Sequence, residues 1–180
     1  MKQTILFKTG RSDHGGDLRK KRKGRGKRPL STQNSLHLVL RSTKAVGKWS
    51  FSQPRNRKAI VDLTKRFGHE YGVKVLSMAN VGNHIHYHVK LSNLFTYKRF
   101  IKALTGMIVS HVTGCGRGKP LPEPFWDLRP FSRVTYGYRG YLVLKNYVRL
   151  NHYESMGLLR EQAREVLKYG ERWFEVADTG

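Results

Sequence analysis

The sequence has little cysteine and no long apolar segment. One cysteine among 180 residues, Cys115, cannot form a disulfide within the chain, so we expect a reducing, cytoplasmic setting. The longest mainly apolar stretch, 103–112, is far shorter than the ~20 residues that a membrane-spanning helix needs. The apolar run at residues 1–9 is too short for a secretory signal peptide. These absences predict a protein that does not cross a bilayer.

Acidic residues are also scarce, whereas basic residues are abundant. The chain has 35 Lys and Arg against 12 Asp and Glu, which gives a formal net charge of +23. This excess exceeds what solubility requires and indicates a polyanionic partner, because each phosphate that a cation neutralises releases condensed counterions. An anionic membrane surface would require an amphipathic basic helix or a lipid anchor, and the sequence shows neither. Nucleic acid is therefore the first candidate.

Length and charge distribution indicate one folded domain with a basic arm. We assign 1–29 to a flexible N-terminal arm, 30–158 to the main domain and 159–180 to a C-terminal helix and tail. Residues 10–29 are dense in Gly and basic side chains and cannot bury a core. A solvated tail is the alternative, but with this net charge we favour an arm that contacts phosphates. Its candidate binding residues are Arg19, Lys20, Lys21, Arg22, Lys23, Arg25, Lys27 and Arg28.

Alternation and helical spacing predict an α+β fold. Apolar residues alternate with polar ones in the strand segments and recur every three or four residues in the helix segments. Pro130 has no N–H to donate to a neighbouring strand, so it indicates that the last strand lies at the sheet edge or contains a bulge. The order predicts an antiparallel sheet of about four strands with helices packed on one face, in the ferredoxin-like style. We expect strands over 35–41, 73–81, 84–91 and 125–136, and helices over 53–71, 96–112, 139–153 and 159–169.

Histidines in the third predicted strand have the spacing of a metal site. The side-chain period of a strand is two, so His84 and His86 project from one face, and His88 lies on that face too. Strand histidines more often only satisfy local hydrogen bonds, and the pair alone is a weak signal. In the helix predicted over 139–153, Tyr147 and Asn151 are four residues apart and share a face, although core packing is the commoner role of a helical tyrosine.

Together these segments resemble a known family. The sequences NHIHYHVKL from Asn83 and YLVLKNYVRLN from Tyr141 are similar to those of the single-tyrosine HUH transposases, in particular the REP-associated tyrosine transposases. That family has a histidine-hydrophobic-histidine strand preceded by Asn, and a later helix with a tyrosine and a polar residue four positions on. The likeness runs from about Arg28 to Leu158, in which Trp126 is a further shared feature.

The resemblance implies a catalytic domain of the HUH endonuclease type over 30–158. It implies that His84, His86 and Asn151 hold a divalent ion, Mg²⁺ or Mn²⁺, and that Tyr147 attacks a DNA phosphate. The products would be a 5′-phosphotyrosine and a free 3′-hydroxyl, and a second hydroxyl could then rejoin the strands. The expected activity is DNA transposition and recombination on single-stranded or hairpin DNA. A homodimer is one candidate assembly, and whether one chain or two build the site stays open.

The chemistry suits these residues. A phenol is a feeble nucleophile near neutral pH, since its unperturbed pKa is about 10, and a divalent ion can polarise the attacked phosphate. The phosphotyrosine keeps the energy of the cleaved bond, so the absence of a nucleotide-binding P-loop sequence is consistent with this reaction. Basic residues around the site could line a path for the strand, namely Lys90, Lys98, Arg99, Lys145 and Arg149. Tyr87, Phe125 and Trp126 could stack on bases, although solvated lysines and core aromatics are the commoner roles of such residues.

Two readings without catalysis remain. A basic DNA- or RNA-binding protein derived from a transposase would explain the charge and the aromatics equally well, and it should lose little when Tyr147 and the histidines are replaced. An RNA-binding domain with an aromatic sheet face suits the predicted topology but leaves the histidine pair unexplained.

Overall fold

The computed structural model describes residues 14–15, 28–116 and 118–177, with side chains for 28–116 and 118–169. A short 3-10 helix, Gly47–Trp49, follows the second strand. The other elements in chain order are β1 (His14–Gly15), β2 (Ser35–Arg41), α1 (Pro54–Glu70), β3 (Val73–Asn80), β4 (His84–Leu91), α2 (Tyr97–Thr113), β5 (Phe131–Thr135), α3 (Gly137–Ser155) and α4 (Arg160–Ala177).

The strands form one antiparallel sheet in the order β1-β5-β2-β4-β3. Leaving out the two-residue β1, the chain runs strand, helix, strand, strand, helix, strand, which is the ferredoxin-like order. The predicted α+β class and antiparallel sheet are therefore confirmed. In the predicted arm, His14–Gly15 pairs with β5, and residues 1–13 and 16–27 lie outside the described part of the chain.

The main core lies between the sheet and the helices α1 and α2. Leu36, Leu38 and Leu40 of β2 are buried there because alternate residues of a strand point to one face. Ile60 of α1 and Phe100 of α2 pack against this face, which the apolar stripes of both helices match.

Helix α3 lies on the opposite face of the sheet, so the prediction of helices on one face holds for α1 and α2 and not for α3. Leu144 and Val148 of α3 form a small cluster with Ala79 of β3. Ala79 is the strand partner of His86, and directly paired residues point to the same face. The physical reason is that β4 carries apolar residues on one face and histidines on the other, and α3 covers the histidines.

The last strand is shorter than predicted. It begins at Phe131, directly after Pro130, whose nitrogen has no hydrogen to donate to a ladder. Phe125 and Trp126 precede it in a loop and pack against the main core, where Trp126 Nε1 donates to the backbone oxygen of Thr105 at 3.3 Å. Among the described residues, no helix combines the length and the apolar character needed to cross a bilayer.

Candidate active site

The candidate site begins with the histidine face of β4. A tight turn with Gly82 at φ 92°, a conformation that favours glycine, leads into the strand. The rings of His84 and His86 have their centroids 4.8 Å apart. His86 and His88 are buried, whereas His84 is half-buried. These three histidines were predicted to share one face, and the pairing with β2 agrees. Arg41 is opposite His84, Val39 is opposite His86 and His37 is opposite His88.

Each of the two predicted metal ligands has its Nδ1 atom engaged by a protein group. His84 Nδ1 lies 2.6 Å from Asn83 Oδ1, an oxygen that can only accept, so Nδ1 carries the hydrogen. His86 Nδ1 lies 3.1 Å from His37 Nε2, and with His86 as donor its Nε2 also keeps a lone pair. Metal-bound histidines in proteins are held by such a bond from the other ring nitrogen. Both Nε2 atoms are then available to a cation.

The surroundings keep these imidazoles neutral. Burial, followed by the nearby His37 and His84, lowers the pKa of His86 to about 3. Burial and then the charge of Arg41 lower the pKa of His84 below its usual value. Since only the neutral imidazole can donate a lone pair to a metal, both residues are in the ligand form at neutral pH.

Helix α3 brings Tyr147 to the histidines of the same chain. The ring centroid of Tyr147 lies 5.5 Å from those of both His37 and His86, and its plane is nearly perpendicular to theirs, at 75° and 89°. The side chain is 40% exposed, so the phenol can be reached from solvent. The predicted nucleophile and the predicted ligand strand therefore meet within one chain.

Asn151 lies one helical turn beyond Tyr147. Its Nδ2 atom donates to the backbone oxygen of Tyr147 at 2.8 Å, which leaves Oδ1 as the atom for a cation. In the described part of the chain, no group of three or more His, Cys, Asp or Glu could hold a metal ion. A divalent ion held by the predicted ligands would have two imidazoles, an amide oxygen and oxygen atoms from outside the chain around it. The two imidazoles favour a transition-metal ion, and a set with only three protein ligands leaves positions open for substrate.

Two residues of the site were not identified from the sequence. His37, a polar position of β2, lies with its Nε2 atom 3.1 Å from His86 Nδ1 and can orient that ring, and its own pKa is lowered to about 4 by burial, His88 and Arg133. Arg41 stands opposite His84 and pairs with Asp127 at 3.5 Å. Both contacts cross between strands, and the alternation within β2 could have placed His37 and Arg41 on one face but not opposite particular histidines.

A cleft of about 400 Å³ adjoins the site on the side of Arg41. It is lined by charged and aromatic residues of β2 and of the segment before β5, among them Arg41, Trp126, Asp127, Arg129 and Phe131. Because Phe131 and Arg41 belong to the histidine face, the cleft opens beside His84.

The predicted nucleic-acid residues have different positions. Lys98 and Arg99 are exposed on α2, on the other side of the sheet from the histidines, so the expectation that they line a path at the site was wrong. Lys145 lies close enough to His88 for its charge to help lower the pKa of that imidazole, after burial. The guanidinium of Arg28 donates to Pro130 O at 2.6 Å and Ser132 Oγ at 2.7 Å, which fixes the end of the arm to β5. Arg149 is half-buried on α3 and also has contacts within the protein. The other predicted arm residues, Arg19, Lys20, Lys21, Arg22, Lys23, Arg25 and Lys27, lie outside the described residues.

Two of the aromatic residues expected to stack on bases cannot do so. Tyr87 is fully buried on the core face, where its hydroxyl lies 3.2 Å from Thr64 Oγ1, and Phe125 is buried as well. The expectation was wrong for both because strand alternation turns Tyr87 away from the histidines, and the loop carries Phe125 into the core. Trp126 is half-buried and lines the cleft beside Arg41.

No protein-family model matches the chain, and no curated protein matches it either. Among solved structures, the chain is similar to a candidate transposase from Deinococcus radiodurans R1, with 14% sequence identity and a TM-score of 0.44. The alignment covers 73% of this chain and 98% of that one.

Proposed function

We propose that this protein is a metal-dependent endonuclease and strand transferase for single-stranded DNA, a transposase-type enzyme that acts through a 5′-phosphotyrosine on Tyr147. The observation that carries the proposal is the position of the Tyr147 ring, with its centroid 5.5 Å from that of His86, on the face of the sheet that also carries His84. The Nε2 atom of His84 keeps a lone pair, and so does that of His86 when its Nδ1 donates to His37. The net charge of +23 supports a DNA substrate, either single-stranded or folded into a hairpin.

His84, His86 and Asn151 are the residues that would hold Mg²⁺ or Mn²⁺. When bound, such an ion would polarise the attacked phosphate and orient it for in-line displacement. The protein contributes two neutral imidazoles whose orientation is fixed by Asn83 and His37. Because two imidazoles suit transition metals as well, Mn²⁺ should be at least as effective as Mg²⁺.

Tyr147 is the nucleophile in this proposal. Its oxygen forms a bond to the phosphorus while the bond from phosphorus to the 3′ oxygen breaks. The phenol proton passes to water, and the departing oxygen takes a proton from water to become the 3′-hydroxyl. The neighbouring His37 and His86 have pKa values of about 4 and about 3, so they are weak bases. Activation therefore relies on polarisation of the phosphate more than on proton removal by a histidine. Attack by another hydroxyl on the phosphotyrosine reverses the step and rejoins a strand.

Arg41 is a candidate for holding the phosphate. It stands across from His84, and its side chain is 49% exposed while its Nε atom pairs with Asp127. The remaining guanidinium nitrogens can donate to phosphate oxygens in the geometry that arginine offers. Lys145, Arg149 and the basic arm would add contacts to the DNA backbone.

The proposal is tested by incubating the protein with single-stranded oligonucleotides and Mg²⁺ or Mn²⁺ and separating the products on a denaturing gel. We expect a covalent protein-DNA adduct from the parent protein, none from Tyr147→Phe, and none with a chelator. Tyr153→Phe, which removes a phenol farther along the same helix, is the matched control and should keep the adduct. An adduct that survives in Tyr147→Phe would overturn the assignment.

The lack of a third His, Cys, Asp or Glu ligand among the described residues favours one alternative, a protein that binds nucleic acid without cutting it. In that case the parent protein binds the oligonucleotide and forms no adduct with either metal. Replacing His84, His86 and Tyr147 together would then leave the binding affinity nearly unchanged.

A further inference from the structure

A second cleft, of about 490 Å³, lies at the start of α3. Its charged lining residues are Lys74 of β3 and Lys90 of β4, which are strand partners and both exposed, and no acidic residue lines it among those the structure describes. Lys90 follows His88 by two residues and therefore belongs to the histidine face. The cleft and the candidate site thus share one face of the sheet.

Two tyrosines of α3 form the aromatic part of this cleft. The ring planes of Tyr138 and Tyr141 are nearly parallel, at 10°, with centroids 6.4 Å apart. Tyr138 is 76% exposed, so packing within the chain does not explain it. Tyr141 lies against His88, with a centroid distance of 4.8 Å, and so connects the cleft to the histidines. Exposed aromatic rings beside cations are the surfaces on which unpaired bases stack.

The start of α3 makes the electrostatic potential of this cleft more favourable for an anion. The first turn of this 19-residue helix has no acidic residue, and Tyr136 forms no capping bond through its side chain. The Gly137 N–H donates to Asn34 Oδ1 at a long 3.4 Å. Free N–H groups at a helix start carry partial positive charge, which attracts anions such as phosphate.

We propose that this cleft binds an unpaired stretch of the DNA strand next to the phosphate that Tyr147 attacks. Tyr138 and Tyr141 stack on a base, while Lys74 and Lys90 neutralise the adjoining phosphates. Tyr141 and Tyr147 are six residues apart on one helix, about 9 Å along its axis, which a short segment of single strand can span. The position of the cleft relative to a reacting phosphate rests on the proposed function, whereas binding itself does not.

The test measures binding without cleavage. Full-length Tyr147→Phe protein in EDTA is titrated against a fluorescein-labelled single-stranded oligonucleotide at several salt concentrations. Tyr138→Ala should weaken binding at least about fivefold, the low end of the loss expected for one stacked base, and Tyr138→Phe should not. Lys74→Ser with Lys90→Ser should weaken binding and reduce the salt slope by about 1.4.

The matched control removes two exposed lysines from the opposite face, Lys65 of α1 and Lys102 of α2, both changed to Ser. The inference is overturned if this control loses as much affinity as the Lys74 and Lys90 variant, or if Tyr138→Ala binds like the parent. A duplex of the same sequence should show no loss with Tyr138→Ala, since paired bases cannot stack on the ring, and an equal loss would also overturn it. The adduct gel reports separately on the proposed function, so the two can fail independently.

Discussion

Replacing His37 by phenylalanine removes the hydrogen-bond partner of His86 while a ring of similar size remains beside Tyr147. His37 Nε2 lies 3.1 Å from His86 Nδ1, and when it accepts from Nδ1 it selects the tautomer that leaves Nε2 of His86 free for a metal ion. Removing a residue that orients a metal ligand typically lowers metal affinity about 10- to 100-fold, which corresponds to about 1.4 to 2.8 kcal/mol. We expect the Mn²⁺ concentration that gives half-maximal adduct to rise by that factor.

Stability must be separated from metal affinity in this experiment. His86 is buried, so an unpaired Nδ1 hydrogen should lower the free energy of unfolding by about 1 to 3 kcal/mol. Thr64→Val is the matched control because it removes the partner of a buried hydroxyl, that of Tyr87, on the other face of the sheet. This variant should lose stability in urea unfolding yet keep the parent Mn²⁺ dependence.

The assay is a Mn²⁺ titration of adduct formation, with saturation included so that a loss of affinity is distinguished from a loss of rate. His37→Gln, which offers an amide oxygen as acceptor, should recover part of the affinity. If His37→Phe were half-saturated at the same Mn²⁺ concentration as the parent, His37 would have no role in orienting the ligand and the tautomer argument would be refuted.

Two further predictions concern the same face of the sheet. Asn83→Ala removes the acceptor of His84 Nδ1. It should raise the Mn²⁺ concentration that gives half-maximal adduct by a smaller factor than His37→Phe does, because water can reach the half-buried His84 and replace the lost acceptor. A larger factor would contradict this order. The folded chain holds the pKa of His88 at about 4, below the 6.5 of the unfolded chain, so its contribution to stability is complete above pH 6.5 and is lost as the pH falls towards 4. At pH 5 this loss is about 2 kcal/mol. In urea unfolding, the free energy of unfolding of His88→Leu should therefore differ less between pH 8 and pH 5 than that of the parent protein does. An unchanged difference would contradict this prediction.

Much of the fold could be predicted from local patterns. The alternation in SLHLVLR and the apolar stripes of α1 and α2 define their elements to within one or two residues. The face on which α3 packs could not be predicted, because a helical stripe shows that a helix has a buried side and not which surface covers it. The histidines of β4 indicate where α3 packs, because both faces of a central strand have to be covered, including the face with polar side chains.

The candidate site was accessible from the sequence to a smaller extent. Sequence spacing places His84 and His86 on one face of a strand, and Tyr147 and Asn151 on one face of a helix. The structure brings that tyrosine to the histidines. His37 belongs to a strand 49 residues before His86 and reaches it only through the pairing of β2 with β4. Tyr138 likewise looks like any other tyrosine until its exposure is known. Registers and exposure depend on the packed chain, so local patterns do not contain them.

The unequal packing on the two sides of the sheet has a consequence for motion. Among the side chains that the structure describes, nineteen buried apolar residues join the sheet to the elements on the α1 and α2 side, whereas the buried apolar cluster under α3 contains three, Ala79, Leu144 and Val148. Regions held by few buried contacts open locally at a small fraction of the global unfolding free energy. We therefore expect the helix bearing the nucleophile to open at a lower free energy than the α1 and α2 side, which would allow a long polymer to enter sideways instead of being threaded end first.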